Sequence, residues 1–379
     1  MPRVKLIQNR DDVTAEHYAL FDELAALRGR VSGPSTIVLH SPGLARPWNE
    51  ISEYLHGKSV VEARHAELAV CATAREQDCG YVWNAHVPAA RRAGVSDETI
   101  TIVGERRPTD QLPGDEAVVV AYVRQLMHGN RVESEVFDQL LDAHGPKWLV
   151  ELTVWIGRYA ALAGLLNGFD LLPVNPSAIL PEIDAPTRAG GVRAPLATPR
   201  VPLVTAREQL AETDRPLFDT LAAGRGSGGG RALLMYSPEL SQRVFDVGDW
   251  LRTSSEVAPD LRELAVLAVA REKDASHVWS VHVPQARRAG LGEAAVTAVR
   301  DRASLQGLPP GERDVVDYVR QQLRTHRVTP DLFDRLCDDH NVRWLVELTC
   351  LIGHFGIISA IVNAFELAPD AGADFLPLG

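Results

Sequence analysis

The hydrophobic positions of this chain run through whole helical turns and do not alternate as strands would. AELAVCATAREQ (66–77) and RELAVLAVAREK (262–273) put Ala, Leu and Val on nearly every face, the pattern of a helix buried on most sides. YVWNAHVPAARRAG (81–94) predicts a second helix. Gly94 closes it at C′, with Arg91 and Arg92 in the last turn, where cations suit the helix dipole. Ser96 is placed as the N-cap of DETITIV, and Thr329-Pro330-Asp331 starts another helix with Thr as cap and Pro at the first position. WLVELTVWIGRYAALAGLLNGF (148–169) and WLVELTCLIGHFGIISAIVNAF (344–365) are the longest apolar stretches. Strand-like period-2 runs of useful length are missing. The pattern predicts an all-α fold.

The same elements occur twice. Pro2-Arg3-Val4 returns as Pro199-Arg200-Val201, and from Ser41-Pro42 against Ser237-Pro238 the offset holds at 196 to Phe169 against Phe365. Glu67–Gly94 and Glu263–Gly290 share 19 identities in 28 positions, far denser than the remainder of the repeat. The chain reads as a tandem duplication, 1–170 and 199–379. The intervening 171–198 carries five prolines, which cannot continue a helix, and is expected to be an extended connector whose Ile179, Leu180 and Ile183 pack on a domain surface.

Charge narrows the classes. Thirty-nine basic against fifty acidic residues give a net charge of -11, which disfavours nucleic-acid binding. The N-terminus lacks a charged segment followed by an apolar one, so no signal peptide is expected. Leu152–Phe169 and Leu348–Phe365 are long enough to raise a membrane span, yet they hold Arg158 and His354 and many small residues. Both are read as buried helices of a cytoplasmic protein without a membrane partner. Four cysteines form no C-x-x-C and no zinc-like spacing, and no cofactor motif is present, so no metal and a cofactor-free reaction are expected.

The densest chemistry lies in the shared segment. Glu67 precedes His86 by 19 residues, as Glu263 precedes His282. If two antiparallel helices meet near Asp78 or Asp274, each Glu approaches its His. A His exchanges protons near neutrality, and a carboxylate beside it orients the ring. Such a pair supplies roughly 10²–10⁴-fold by general acid–base catalysis. It serves equally as a satisfied buried contact that fixes helix register, and the repeat does not separate the two. Trp83 and Trp279, one turn before the histidines, are expected to wall a substrate pocket. Arg75 and Arg271 are candidate forks for a substrate carboxylate, with ordinary salt bridges to nearby acids as the alternative.

This segment resembles the signature of the carboxymuconolactone decarboxylase family, within the alkylhydroperoxidase D-like superfamily. Glu67, Tyr81, Trp83, His86 and VPAARRAG carry the resemblance in the first copy, and Glu263, Trp279, His282 and VPQARRAG in the second. LHSPGLARPWNEISEYL and the helix ending LLNGFDL extend it over nearly the whole repeat. It implies two tandem helical domains, homo-oligomers (three chains giving a pseudo-hexamer), and Glu and His positions that move protons while a lactone acid loses its carboxylate. The peroxidase branch needs cysteines seven and four residues before the His. Those positions hold Cys79 and Val82, or Ala275 and Val278, so a dithiol cycle is disfavoured.

Tyr81 follows the decarboxylase pattern, whereas its counterpart His277 allows a His277/His282/Glu263 relay. Either the two sites differ in substrate or only one turns over. His144, His340, Glu151 and Glu347 rank lower, as loop histidines and as carboxylates near a helix start. The leading expectation is a cofactor-independent lyase, most simply a decarboxylase, acting on a small lactone or β-keto carboxylic acid. Ring opening, isomerisation or hydrolysis would use the same groups. A non-catalytic oligomeric assembly or binding module is the alternative from another class, and a thiol peroxidase stands third.

Overall fold

The computed structural model describes residues 2–183, 195–196, 198–225 and 228–377. Among them are helices and no strand. The first half contains α1 (Tyr18–Arg28), α2 (Ser35–Val38), α3 (Pro42–Lys58), α4 (Ala63–Glu76), α5 (Gly80–Arg92), α6 (Asp97–Gly104), α7 (Gly114–Gly129) and α8 (Ser134–Gly168). The second contains α9 (Arg215–Arg225), α10 (Gly230–Leu234), α11 (Pro238–Thr253), α12 (Pro259–Glu272), α13 (Ser276–Arg288), α14 (Glu293–Arg300), α15 (Pro310–Arg324), α16 (Pro330–Asp339) and α17 (Val342–Ala364). The order is the same in both, except that α8 runs through a break at Gly145 (φ 81°, ψ 172°) where α16 and α17 are separate. The all-α expectation holds.

Local signals act where the sequence placed them. The Ser96 side chain accepts from the Thr99 N–H at the start of α6, and Gly94 takes the positive φ of a helix stop. α4 is buried on most sides, from Leu68 and Ala69 to Ala74, and α12 likewise from Leu264 to Ala270. Each fully buried Val, Leu or Ile contributes roughly 1.5–3 kcal/mol.

The halves meet along α8 and α17. Glycines permit the close crossing: a Cβ on Gly157 would lie 3.0 Å from Ile357 Cα, and one on Gly353 2.6 Å from Ala161 Cβ. The two long apolar helices are 94% and 83% buried over their most apolar windows, so their hydropathy is spent inside the protein.

Buried carboxylates also cross between the halves. Glu151 accepts from Ser237 Oγ (2.7 Å) and Tyr54 OH (2.9 Å), and its other oxygen from the Val60 N–H (2.7 Å). Glu347 accepts from Ser41 Oγ (2.7 Å), Ser255 Oγ (2.9 Å) and the Glu256 N–H (2.6 Å). Both glutamates are fully buried. They are structural anchors between halves, which the dipole argument from their position in the helix did not foresee.

The connector is a strap at its start. Asn84 Oδ1 accepts from the Ser177 and Ala178 N–H groups (2.8 and 3.1 Å), and the Pro181 carbonyl accepts from Arg75. Leu180 packs on the core, but Ile179 is 77% exposed, contrary to expectation. Residues 184–194 and 197 of the connector lie outside the described residues. The C-terminal segment repeats this contact 196 positions on, where the Pro377 carbonyl accepts from Arg271 (2.9 Å).

Candidate functional site

The turn between α4 and α5 sets the site. Asp78 adopts φ 46°, a left-handed conformation that Asp tolerates better than most residues, and the Cys79 N–H returns to the Ala74 carbonyl (2.9 Å). The helices therefore run antiparallel, and Glu67 Oε2 meets His86 Nδ1 at 2.8 Å. Asp274 (φ 47°) makes the equivalent turn, and Glu263 Oε2 meets His282 Nδ1 at 2.8 Å. With Nδ1 engaged in each ring, Nε2 is the nitrogen left for a ligand.

His86 lines a cavity of about 210 Å³ together with Tyr81, His56, Ser52, Arg158 and Tyr159. Tyr159 stands edge-on to the His86 ring, 4.7 Å between centroids, and its hydroxyl is 2.8 Å from His56 Nε2. Arg158 is buried in the stretch of α8 that follows Glu151 and carries no other charge. Its Nε donates to Ser52 Oγ (3.0 Å) and its guanidinium lies 4.4 Å from the Trp48 ring centre, so a hydroxyl and a π face offset part of its desolvation. The cavity joins a carboxylate-held imidazole, a phenol bonded to a second imidazole, and a guanidinium.

His282 lines a cavity of about 230 Å³ in the other half. There Phe355 replaces Tyr159 and meets His282 edge-on at 4.9 Å. Arg252 stands in place of His56, and His354 in place of Arg158. His354 is fully enclosed and burial pushes its pKa down to about 4. Gly248, in place of Ser52, makes room for it, since a Cβ would lie 2.8 Å from His354 Nε2.

Several expected site residues lie elsewhere. Trp83 and Trp279 are buried at 3% and 1% exposure and line neither cavity. A spacing of three leaves about 60° between two side chains on a helix, which turns the indole into the core. The Trp83 ring fills the space a Cβ on Gly104 would need (3.0 Å). Arg75 and Arg271 are braces for the turns. Arg75 bonds Asp78 and the Gly104 and Pro181 carbonyls; Arg271 bonds Asp274 (3.1 Å) and the Pro377 carbonyl. Neither reaches a cavity, and the salt-bridge alternative is the one the geometry favours.

The His277 relay does not form. His277 Nδ1 is bonded to the Ala368 carbonyl (3.1 Å), and burial lowers its pKa. Tyr81, its counterpart, does line the first cavity. His144 and His340 stack on Trp148 and Trp344 with centroids 3.9 and 3.8 Å apart, outside both cavities. Cys79 is buried at the N-cap of α5, and burial pushes its thiol up to about 11, away from the thiolate a peroxidase needs. Among the described residues no three His, Cys, Asp or Glu side chains are grouped to hold a metal.

The residues missed from sequence are His56, Tyr159 and Arg158 in the first cavity, and Arg231, Arg252, Arg262 and His354 in the second. Arg158 and His354 did leave a signal. A charged or polar side chain at one matched position in the apolar stretches that follow Glu151 and Glu347 is expensive unless it has partners, and so it is worth testing as a site.

Residues 42–119 match the model of the carboxymuconolactone decarboxylase family. That span holds α3 to α6, most of the first cavity's wall, and the Glu67–His86 pair. The matched segment is a helical domain of the alkylhydroperoxidase D-like type, in agreement with the all-α structure. A comparison with curated proteins finds no match.

Proposed function

We propose that the protein is a cofactor-independent acid/base enzyme acting on a small lactone or β-keto carboxylic acid, with decarboxylation as its reaction. The observation that carries this reading is the Glu67–His86 contact at 2.8 Å beside a cavity that also holds Tyr159, His56 and Arg158. Glu67 fixes the ring through Nδ1, leaving Nε2 to exchange a proton with the ligand. In loss of carboxylate from a β-keto acid, the bond to the carboxylate carbon breaks. Its electron pair moves onto the carbonyl system as an enolate, CO₂ leaves, and one proton restores the neutral product. His86 supplies that proton, and the Tyr159 hydroxyl and Arg158 offer donors to the enolate oxygen. Glu263 and His282 repeat the proton-transfer pair in the second half.

Two matched helix sets in one chain also support a tandem duplication in which three chains assemble as a pseudo-hexamer. Light scattering at the mass of a monomer would contradict that assembly. The activity is tested by screening lactone acids and β-keto acids for CO₂ release, then comparing His86→Gln with the parent. Unchanged turnover in His86→Gln and in the His86→Gln/His282→Gln pair would remove the proposal.

A further inference from the structure

The two cavities occupy matched positions, yet their charge differs. The first has one guanidinium, Arg158. The second has three, Arg231, Arg252 and Arg262, where the first half carries Ser35, His56 and Ala66.

Protein carboxylates do not account for all three. Asp249 lies 3.7 Å from Arg252, and Glu263 is engaged by His282. Among the described residues Arg231 has no ion pair. Its guanidinium is 4.0 Å from the Phe245 ring centre, which holds the group in place without neutralising it. Arg262 Nε is buried without a hydrogen-bond partner, and burial lowers the pKa of both Arg231 and Arg262. A buried donor of this kind is costly unless something occupies it. Phe245, Phe355, Val266, Leu351 and Ile358 give the wall an apolar side, and His282, Gln285 and His354 are its other polar side chains.

We infer that the second cavity is a carboxylate-binding site, taking a small monocarboxylate on a hydrocarbon or aryl frame, with Arg231 and Arg262 as its principal anion donors. The carboxylate lies among the guanidinium groups, where planar forks match its oxygens, and its apolar body lies against the phenylalanines. This site differs from the first in purpose. Three guanidinium groups stabilise a carboxylate ground state, which opposes its departure as CO₂. The second cavity retains an acid; the first is built to transform one. The inference shares with the acid/base reading only the expectation of a carboxylate ligand, and it stands if neither cavity turns over.

Equilibrium binding tests it. Hexanoate and its neutral isostere hexanamide are titrated calorimetrically into the full chain. The variants Arg231→Gln and Arg262→Gln follow, with melting curves as the check on folding. Hexanoate is expected to bind about tenfold tighter than hexanamide, and each variant to lose about tenfold in hexanoate affinity with hexanamide unaffected. Equal affinity for acid and amide in the unaltered protein would overturn the inference without any variant. So would folded variants that bind hexanoate as the parent does. Because the readout is affinity, a His86→Gln protein that has lost turnover but still binds hexanoate separates failure of one proposal from failure of the other.

Discussion

The two cavities show how one backbone device supports two chemistries. In both, a left-handed Asp closes the α4/α5-type turn and a Glu holds a His at 2.8 Å. Around that shared pair the wall has diverged. Tyr159, His56 and Arg158 in one half face Phe355, Arg252 and His354 at the same positions in the other. The turn fixes how the two helices pack, and the pair follows from it. These wall residues sit on α3 and α8, or on α11 and α17, with Arg231 and Arg262 on α10 and α12, and they vary while the turn is kept. The lesson is that a matched acid/base pair does not imply a matched ligand.

The largest expected effect breaks the comparison at its shared element. His86→Gln should lower turnover by roughly 10²–10⁴-fold, and steady-state rates on the substrate found by screening check this. His282→Gln should leave turnover close to the parent's, since the second cavity lacks the phenol and its guanidinium groups hold a carboxylate in place.

A second effect belongs to the second half through His354. Its pKa is about 4 in the folded protein against 6.5 for a free histidine. The unfolded chain therefore binds more protons between those values. Stability is fully present above about pH 6.5 and falls as pH drops toward 4, by up to ~3 kcal/mol for this group. Arg158 at the matched position keeps its charge throughout. Urea denaturation near pH 7 and near pH 4 should show a smaller acid loss in His354→Asn than in the parent. His326, also held near a pKa of 4 by burial, keeps its own share of the loss.

The anchors between halves should behave alike, which sharpens the contrast. Glu151→Gln disturbs three hydrogen bonds to a buried carboxylate and Glu347→Gln four, the fourth from Arg343 Nε, and each should cost about 1–3 kcal/mol by denaturant midpoint. A large effect in one and none in the other would show that the halves are not equivalently docked. The smallest effect is expected from Tyr159→Phe, which gives the first cavity the ring of the second. About tenfold in kcat, or ~1.4 kcal/mol, with little change in melting temperature, is the predicted result.

Much of the helical order was legible, because caps and apolar periodicity act locally. Ser96, Gly94 and the buried character of residues 66–77 lie in the range where sequence spacing determines geometry. The Glu67–His86 approach followed from a repeat count and one turn. The rest depended on contacts distant in sequence. Tyr159 and His56 are 103 residues apart, and nothing in spacing joins them. Trp83 was misplaced because a shared helix face is too coarse to tell a cavity from a core when the two are about 60° apart. Arg75 was misplaced because its partners include a carbonyl 106 positions away, in the segment read as a connector. The likeness of Leu180-Pro181 to Leu376-Pro377 was a readable sign that this segment packs on the preceding helices in both halves.

The difference between the cavities can be measured on the two histidines themselves. Ring ¹H–¹⁵N spectra assigned by His86→Gln and His282→Gln report each site separately as hexanoate is added. The account predicts that His282 shifts first, with half-saturation at about a tenfold lower concentration than His86. Superimposable titration curves, or His86 responding first, would contradict it.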